Sequence, residues 1–234
     1  MMWFDSYGAK GERNGILPAG DGCDFFSSDI NIFVIFVCYN MYEILNTRYM
    51  KKSYLFLADG FEEVEALATV DVLRRAEMDV TTVSINATRE VTGAHGVSVN
   101  ADCVISDMKL TADTEWLICP GGMPGASNLA ACEPLTAMLR EHYARGGRVA
   151  AICASPAVVL APLGILDERP ATCYPGFESI AAGVDMTGKD VVALDTLVTA
   201  NGPANTLPFA FAIVSVSKGT QVASDVAAGM LYGK

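Results

Sequence analysis

The chain reads as an α/β protein with a mostly parallel central sheet covered on both faces by helices. Three observations predict this. From Met50 onward, short apolar runs of strand length alternate with longer amphipathic segments. The strand-like runs are apolar throughout instead of alternating with polar residues, the pattern of strands buried on both faces. The chain has 234 residues, about half of them apolar, enough for one substantial core with an appendage.

In order, residues 54–58 (YLFLA) predict a buried first strand, and 62–76 a helix with Val64, Leu67, Ala68, Val72 and Leu73 near one face. Residues 80–85 predict the second strand. Residues 90–100 place His95-Gly96 between β-rich flanks and predict a hairpin. Residues 116–119 form a strand that ends in the tight loop PGGMPGA, 120–126. A helix over 134–143 stops at Gly146-Gly147. Residues 149–152 are a further strand, and a helix begins at 156–160. Residues 191–194 and 197–199 predict a late hairpin, and 207–217 and 222–231 two closing helices. The crossovers between parallel strands are expected to be right-handed.

Residues 1–49 differ in character. Gly, Asp, Asn and Ser fill 7–29, followed by INIFVIFVCYNMYEIL at 30–45, whose strictly apolar centre spans only 32–39. A membrane span needs ~20 apolar residues, and the run lacks the basic flank and cleavage site of a signal peptide. Two readings stand: an extra strand or helix packed on the domain, or upstream sequence preceding a true start at Met50, where MKKSYLFLADG forms a natural opening. The division expected is therefore 1–49 as an atypical extension and 50–234 as the domain, and a chain starting at Met50 is expected to fold and keep its activity.

The net charge of −11 argues against a specific nucleic-acid partner. The seven cysteines show no zinc-like spacing, no CxxC and no secreted disulfide framework, which points to a reducing, cytoplasmic setting.

The chemistry gathers at strand ends, where open α/β sheets bind ligands. Cys153 follows the 149–152 strand and precedes a helix, with small Ala154 and Ser155 beside it. This is the layout of a nucleophile elbow, and a helix N-terminus is expected to lower the thiol pKa. The alternative is an inert, buried cysteine, the reading given to Cys23, Cys38, Cys103, Cys119 and Cys132. In GFEEVEA, 60–66, Glu62 and Glu63 suit capping and dipole roles. Glu65 lies in line with the apolar positions. If buried, it needs a partner, and if protonated it can donate to a thiolate; exposure at the helix edge is the alternative. Gly121 and Gly122 offer bare backbone amides for an oxyanion, although a plain turn has the same composition. His95 and His142, the two histidines, are not placed by sequence to orient the thiol.

Taken together, ADGFEEVEA (58–66), VDVLRRA (70–76), ICPGGMPGASNL (118–129), AAICASP (150–156) and TANGPANTLPFAFAIV (199–214) resemble the DJ-1/ThiJ/PfpI family, in its DJ-1-like branch. The resemblance runs from about Met50 to Lys234. It implies a flavodoxin-like three-layer sandwich, class I glutamine amidotransferase-like, and a homodimer. It maps a reactive cysteine onto Cys153, a protonated glutamate onto Glu65, and oxyanion-type amides onto Gly122 and Ala154. Relatives with glyoxalase-type activity often carry His-Pro about twenty residues beyond the cysteine. Here Tyr174-Pro175 stands there, and tyrosine, with a reference pKa of ~10, is a poor base at neutrality. Asn201 stands where some relatives have an arginine, and Ala154 replaces the histidine that follows the cysteine in the protease branch.

The function expected is cofactor-independent, cysteine-dependent chemistry on small reactive aldehydes or glycated substrates, of glyoxalase or deglycase type, in carbonyl stress protection. The alternatives are a redox-sensing or chaperone-like stress protein without robust turnover.

Overall fold

A computed structural model describes residues 51–233; the expectations for residues 1–49 lie outside them. Seven strands form one sheet in the order β10-β11-β7-β6-β1-β2-β5. These strands are β1 (Lys52–Leu57), β2 (Asp79–Ser84), β5 (Cys103–Val104), β6 (Thr114–Cys119), β7 (Arg148–Ile152), β10 (Val191–Ala193) and β11 (Leu197–Ala200). All neighbours are parallel except β10 and β11, the late hairpin anticipated from sequence. The hairpin over 90–100 is β3 (Glu90–Thr92) paired with β4 (Ser98–Asn100). The small parallel pair β8 (Pro170–Ala171) and β9 (Asp185–Met186) stands apart.

Period-two alternation within apolar strands splits the core in two. Leu55, Leu57, Trp116, Ile118, Ala150, Ile152, Val198 and Ala200 pack toward α1 (Glu63–Arg75), α4 (Thr206–Lys218) and α5 (Thr220–Gly229). Phe56, Leu117, Cys119, Val149, Ala151 and Leu197 pack on the other side with residues of α2 (Gly125–Ala131) and α3 (Glu133–Ala144). Both faces are covered, giving the three layers expected. No described helix is long and apolar enough to cross a membrane.

Three local expectations change. The glycine-rich loop is shorter than its sequence suggests, because α2 begins at Gly125. The segment after Cys153 is a five-residue π-helical turn, Pro156–Leu160, followed by one 3-10 turn, Ala161–Leu163. On α1, Val64 and Leu67 face outward, 53% and 40% exposed, while Ala66, Thr69, Val70, Val72 and Leu73 are buried. The buried stripe is thus rotated from the one that periodicity suggested.

Candidate active site

The register sets where the chemistry falls. Cys119 pairs with Ala151, and Ala200 with Ile152, so β6, β7 and β11 end side by side at one edge of the sheet. Cys153 is the first residue past β7. Its φ is +64°, in the left-handed region that non-glycine residues rarely enter. Neighbouring segments hold it there. Its N–H donates to the Ala200 carbonyl at 2.9 Å, and its carbonyl accepts from the Tyr174 N–H at 2.8 Å. The elbow turns the thiol out of the strand, and the residue is buried there, 9% exposed.

Glu65 comes from the first turns of α1. Glu62 caps that helix, its carboxylate accepting the Glu65 N–H at 2.6 Å. The Glu65 side chain is fully buried. Its Oε2 accepts the Gly121 N–H at 2.8 Å, and its Oε1 has no partner of ordinary hydrogen-bond geometry. Burial pushes this carboxyl up to about 7, against the Gly121 hydrogen bond and the adjacent Cys153 thiol, which pull the other way.

Gly121 makes the approach possible. A Cβ there would lie 2.6 Å from the Cys153 Cβ and 2.7 Å from Glu65 Oε2. Gly122 has φ +89°, and a side chain would strike the backbone of Gly60 to Glu62. The backbone amides of Gly122 and Ala154 favour the Cys153 anion.

The thiol does not behave as the helix-dipole reasoning anticipated. Burial pushes Cys153 up to about 12, and the charge of the neighbouring Glu65 adds to the rise; the Gly122 and Ala154 amides offset part of it. Desolvation outweighs the amides while Glu65 is ionised. A protonated Glu65 removes the repulsion and supplies a hydrogen-bond donor, so the two groups titrate as a pair.

Residues 51–216 match the DJ-1/PfpI family. The chain belongs to the DJ-1/PfpI family. It is 35% identical over 177 residues to protein DJ-1 homolog B of Arabidopsis thaliana, covering 75% of this chain and 40% of that protein. It therefore spans less than half the length of that relative. It is 33% identical over 174 residues to the glutathione-independent glyoxalase DJR-1.2 of Caenorhabditis elegans, covering 73% of this chain and 91% of that one. Among solved structures it resembles oxidized Toxoplasma gondii DJ-1 with a TM-score of 0.74 and 36% identity, over 79% of this chain and all of that one. The DJ-1/PfpI fold is the flavodoxin-like sandwich described above.

Of the residues singled out from sequence, Cys153, Glu65, Gly122 and Ala154 converge. Tyr174 touches the site by its backbone. Its side chain is 44% exposed, packs edge-on against Phe177 and makes no hydrogen bond to Cys153 or Glu65. Neither histidine is near the thiol through any hydrogen bond. His95 bonds Glu63, with Nδ1 to Oε2 and backbone N–H to Oε1, both at 2.7 Å. His142 is buried with Nε2 3.1 Å from the Glu115 carbonyl. Glu62, Glu63 and His95 have ligand-type atoms within 4.8 Å of one another. Each is already engaged, Glu62 as a cap and the other two as a pair. Sequence reasoning took Ser155 only as a small neighbour of the thiol; it is fully buried and donates from Oγ to the Pro120 carbonyl at 2.5 Å. A serine in the first turn after a strand reads as an ordinary cap; its long-range acceptor leaves no local signal.

Proposed function

We propose that this DJ-1/PfpI protein converts small 2-oxoaldehydes such as methylglyoxal to hydroxy acids through Cys153, without a cofactor. One observation carries the reading: a fully buried glutamate, Glu65, held near neutrality beside a cysteine on a strained strand-end turn. A group titrating near 7 is matched to taking up and returning a proton at physiological pH. The Cys153 sulfur attacks the aldehyde carbon, forming a hemithioacetal whose oxyanion meets the Gly122 and Ala154 amides. Glu65 takes the proton from that carbon and returns it to the adjacent one, leaving a thioester. Water cleaves the thioester, and methylglyoxal plus water becomes lactate. On an early glycation hemiaminal the sulfur displaces the amine: the C–S bond forms as the C–N bond breaks, the amine leaves with the thiol proton, and the same hemithioacetal results. The name of the nematode relative supports the carbonyl reading. D-lactate formation by wild type compared with Cys153→Ala is the test; equal rates overturn the proposal.

A second reading has its own support. The two amides that favour a negative sulfur would also hold sulfinate oxygens, so Cys153 suits a peroxide-sensing role. Intact mass after mild peroxide is diagnostic, and lack of a Cys153-dependent gain of two oxygens counts against it. In either case the protein works as a homodimer in a reducing compartment, the cytoplasm. Val64 and Leu67 on α1 and Val97 on the neighbouring hairpin are 53%, 40% and 50% exposed, an apolar face that a second copy covers. Sedimentation of wild type and Leu67→Asp tests this.

A further inference from the structure

The two backbone amides that favour a negative Cys153 sulfur come from different parts of the chain. Gly122 belongs to the loop after β6, and Ala154 to the elbow after β7. The β6–β7 ladder ends at the Cys119–Ala151 pair. The residue that follows β6 is Pro120, which has no N–H to extend a ladder. The elbow turns away, and the Cys153 N–H goes to Ala200 on β11. The loop meanwhile is tied to α1: the Gly121 carbonyl accepts from the Glu62 N–H at 3.0 Å, and the Gly121 N–H donates to Glu65. Left to these bonds, one donor follows α1 and the other follows β7. Among the described residues, the hydrogen bond joining the two segments past the end of the ladder is Ser155 Oγ to the Pro120 carbonyl, 2.5 Å. Both groups are buried, so water does not substitute for either.

We propose that Ser155 is a positioning residue: its hydroxyl clamps the elbow to the glycine loop and fixes the separation of the segments that carry the Gly122 and Ala154 amides around Cys153. The inference rests on the reading of Cys153 as the nucleophile. It adds a residue that acts through the amides and does not itself touch substrate. An oxyanion hole built from two segments is only as good as the bond that fixes their separation, because misplacing a donor by about 1 Å forfeits much of its effect. Substrate binding relies on this separation less than transition-state charge does, so the loss should fall on kcat.

The test uses two readouts on folded protein, with folding checked by circular dichroism and thermal melting. The first is the rate of Cys153 alkylation by iodoacetamide across pH, which does not depend on carbonyl turnover. In Ser155→Ala the midpoint moves to higher pH, because the amides no longer favour the sulfur anion together. The second is methylglyoxal turnover, where kcat falls about tenfold, the scale of a weakened oxyanion donor, and KM stays within about twofold. Ser155→Thr keeps the hydroxyl and stays within about twofold of wild type in both. If Ser155→Ala does not fold, Ser155→Gly is read in its place. A wild-type alkylation profile in the hydroxyl-less variant overturns the proposal, as does a threonine variant as impaired as the alanine one. If wild type turns over no methylglyoxal but the alkylation midpoint still moves with Ser155, the clamp stands and the carbonyl reading fails.

Discussion

Gly121 donates its backbone N–H to Glu65 Oε2 at 2.8 Å while leaving empty the space in which its own side chain would meet Cys153. The same residue thus orients the carboxyl and permits the thiol to approach it. Gly121→Ala places a Cβ within 2.7 Å of both partners. It is expected to cost about 1–3 kcal/mol of stability by overpacking and to separate Glu65 from Cys153. Thermal melting gives the first effect, and loss of the pH-dependent alkylation of Cys153 gives the second.

Neutralising Glu65 should separate reactivity from turnover. Its charge helps hold the Cys153 thiol up at about 12. Glu65→Gln removes that charge, so the alkylation midpoint falls and the thiol reacts faster at pH 8 than in wild type. Methylglyoxal turnover moves the opposite way, falling ~100-fold or more with the proton carrier gone. Slower alkylation in the variant would show that the carboxyl activates the sulfur instead of restraining it.

Stability should carry the signature of the same group. Burial raises Glu65 from 4.5 to about 7, so between these values the folded state binds more protons than the unfolded state. Stability contributed by this site is then fully present below pH 4.5 and declines as pH rises through 7. The decline amounts to about 3 kcal/mol from a shift of that size. Denaturant unfolding of wild type minus Glu65→Gln, measured from pH 4.5 to 8, reads it directly, since the other carboxylates cancel. A flat difference would mean the carboxyl is not buried in solution.

The elbow stores backbone strain at Cys153, φ +64°. Both Cys153→Ala and Cys153→Gly lose the thiol, but only glycine occupies this region freely. The glycine variant is expected to be more stable by about 1 kcal/mol, contrary to the usual order of the two residues. Equal melting temperatures would place the turn in an ordinary conformation.

Tyr174 contributes its backbone N–H to the elbow, while its side chain is half-exposed and packs edge-on against Phe177. Tyr174→His keeps the backbone bond and adds a group that titrates near pH 6.5. Turnover of methylglyoxal is expected to rise severalfold at pH 7, within the range that an added general base supplies. An unchanged rate would show that Glu65 alone handles the proton.

The alternation of buried strands and helices was legible because it is a local property. Leu55 and Phe56 face opposite layers in the same apolar run, and that pattern needs no knowledge of partners. The junction at Cys153 was legible for the same reason, as were the cap at Glu62 and the late β10–β11 hairpin. Four features were not. Val64 and Leu67 lie outside the buried stripe of α1 because its rotation is set by packing against α4, far along the chain. Glu63 leaves its dipole role for His95, thirty-two residues away. Ser155 meets Pro120 across thirty-five. The short strands β5, β8 and β9 have too few residues to show a period.

Residue order alone thus dictated the layered α/β architecture and put a thiol, a carboxyl and a bare glycine loop at strand ends. Which of those groups carries a proton came from the folded arrangement. Chain periodicity specifies a face, but desolvation depends on everything packed around a group. In this protein that packing raises both Cys153 and Glu65 and leaves the pair to share its charge.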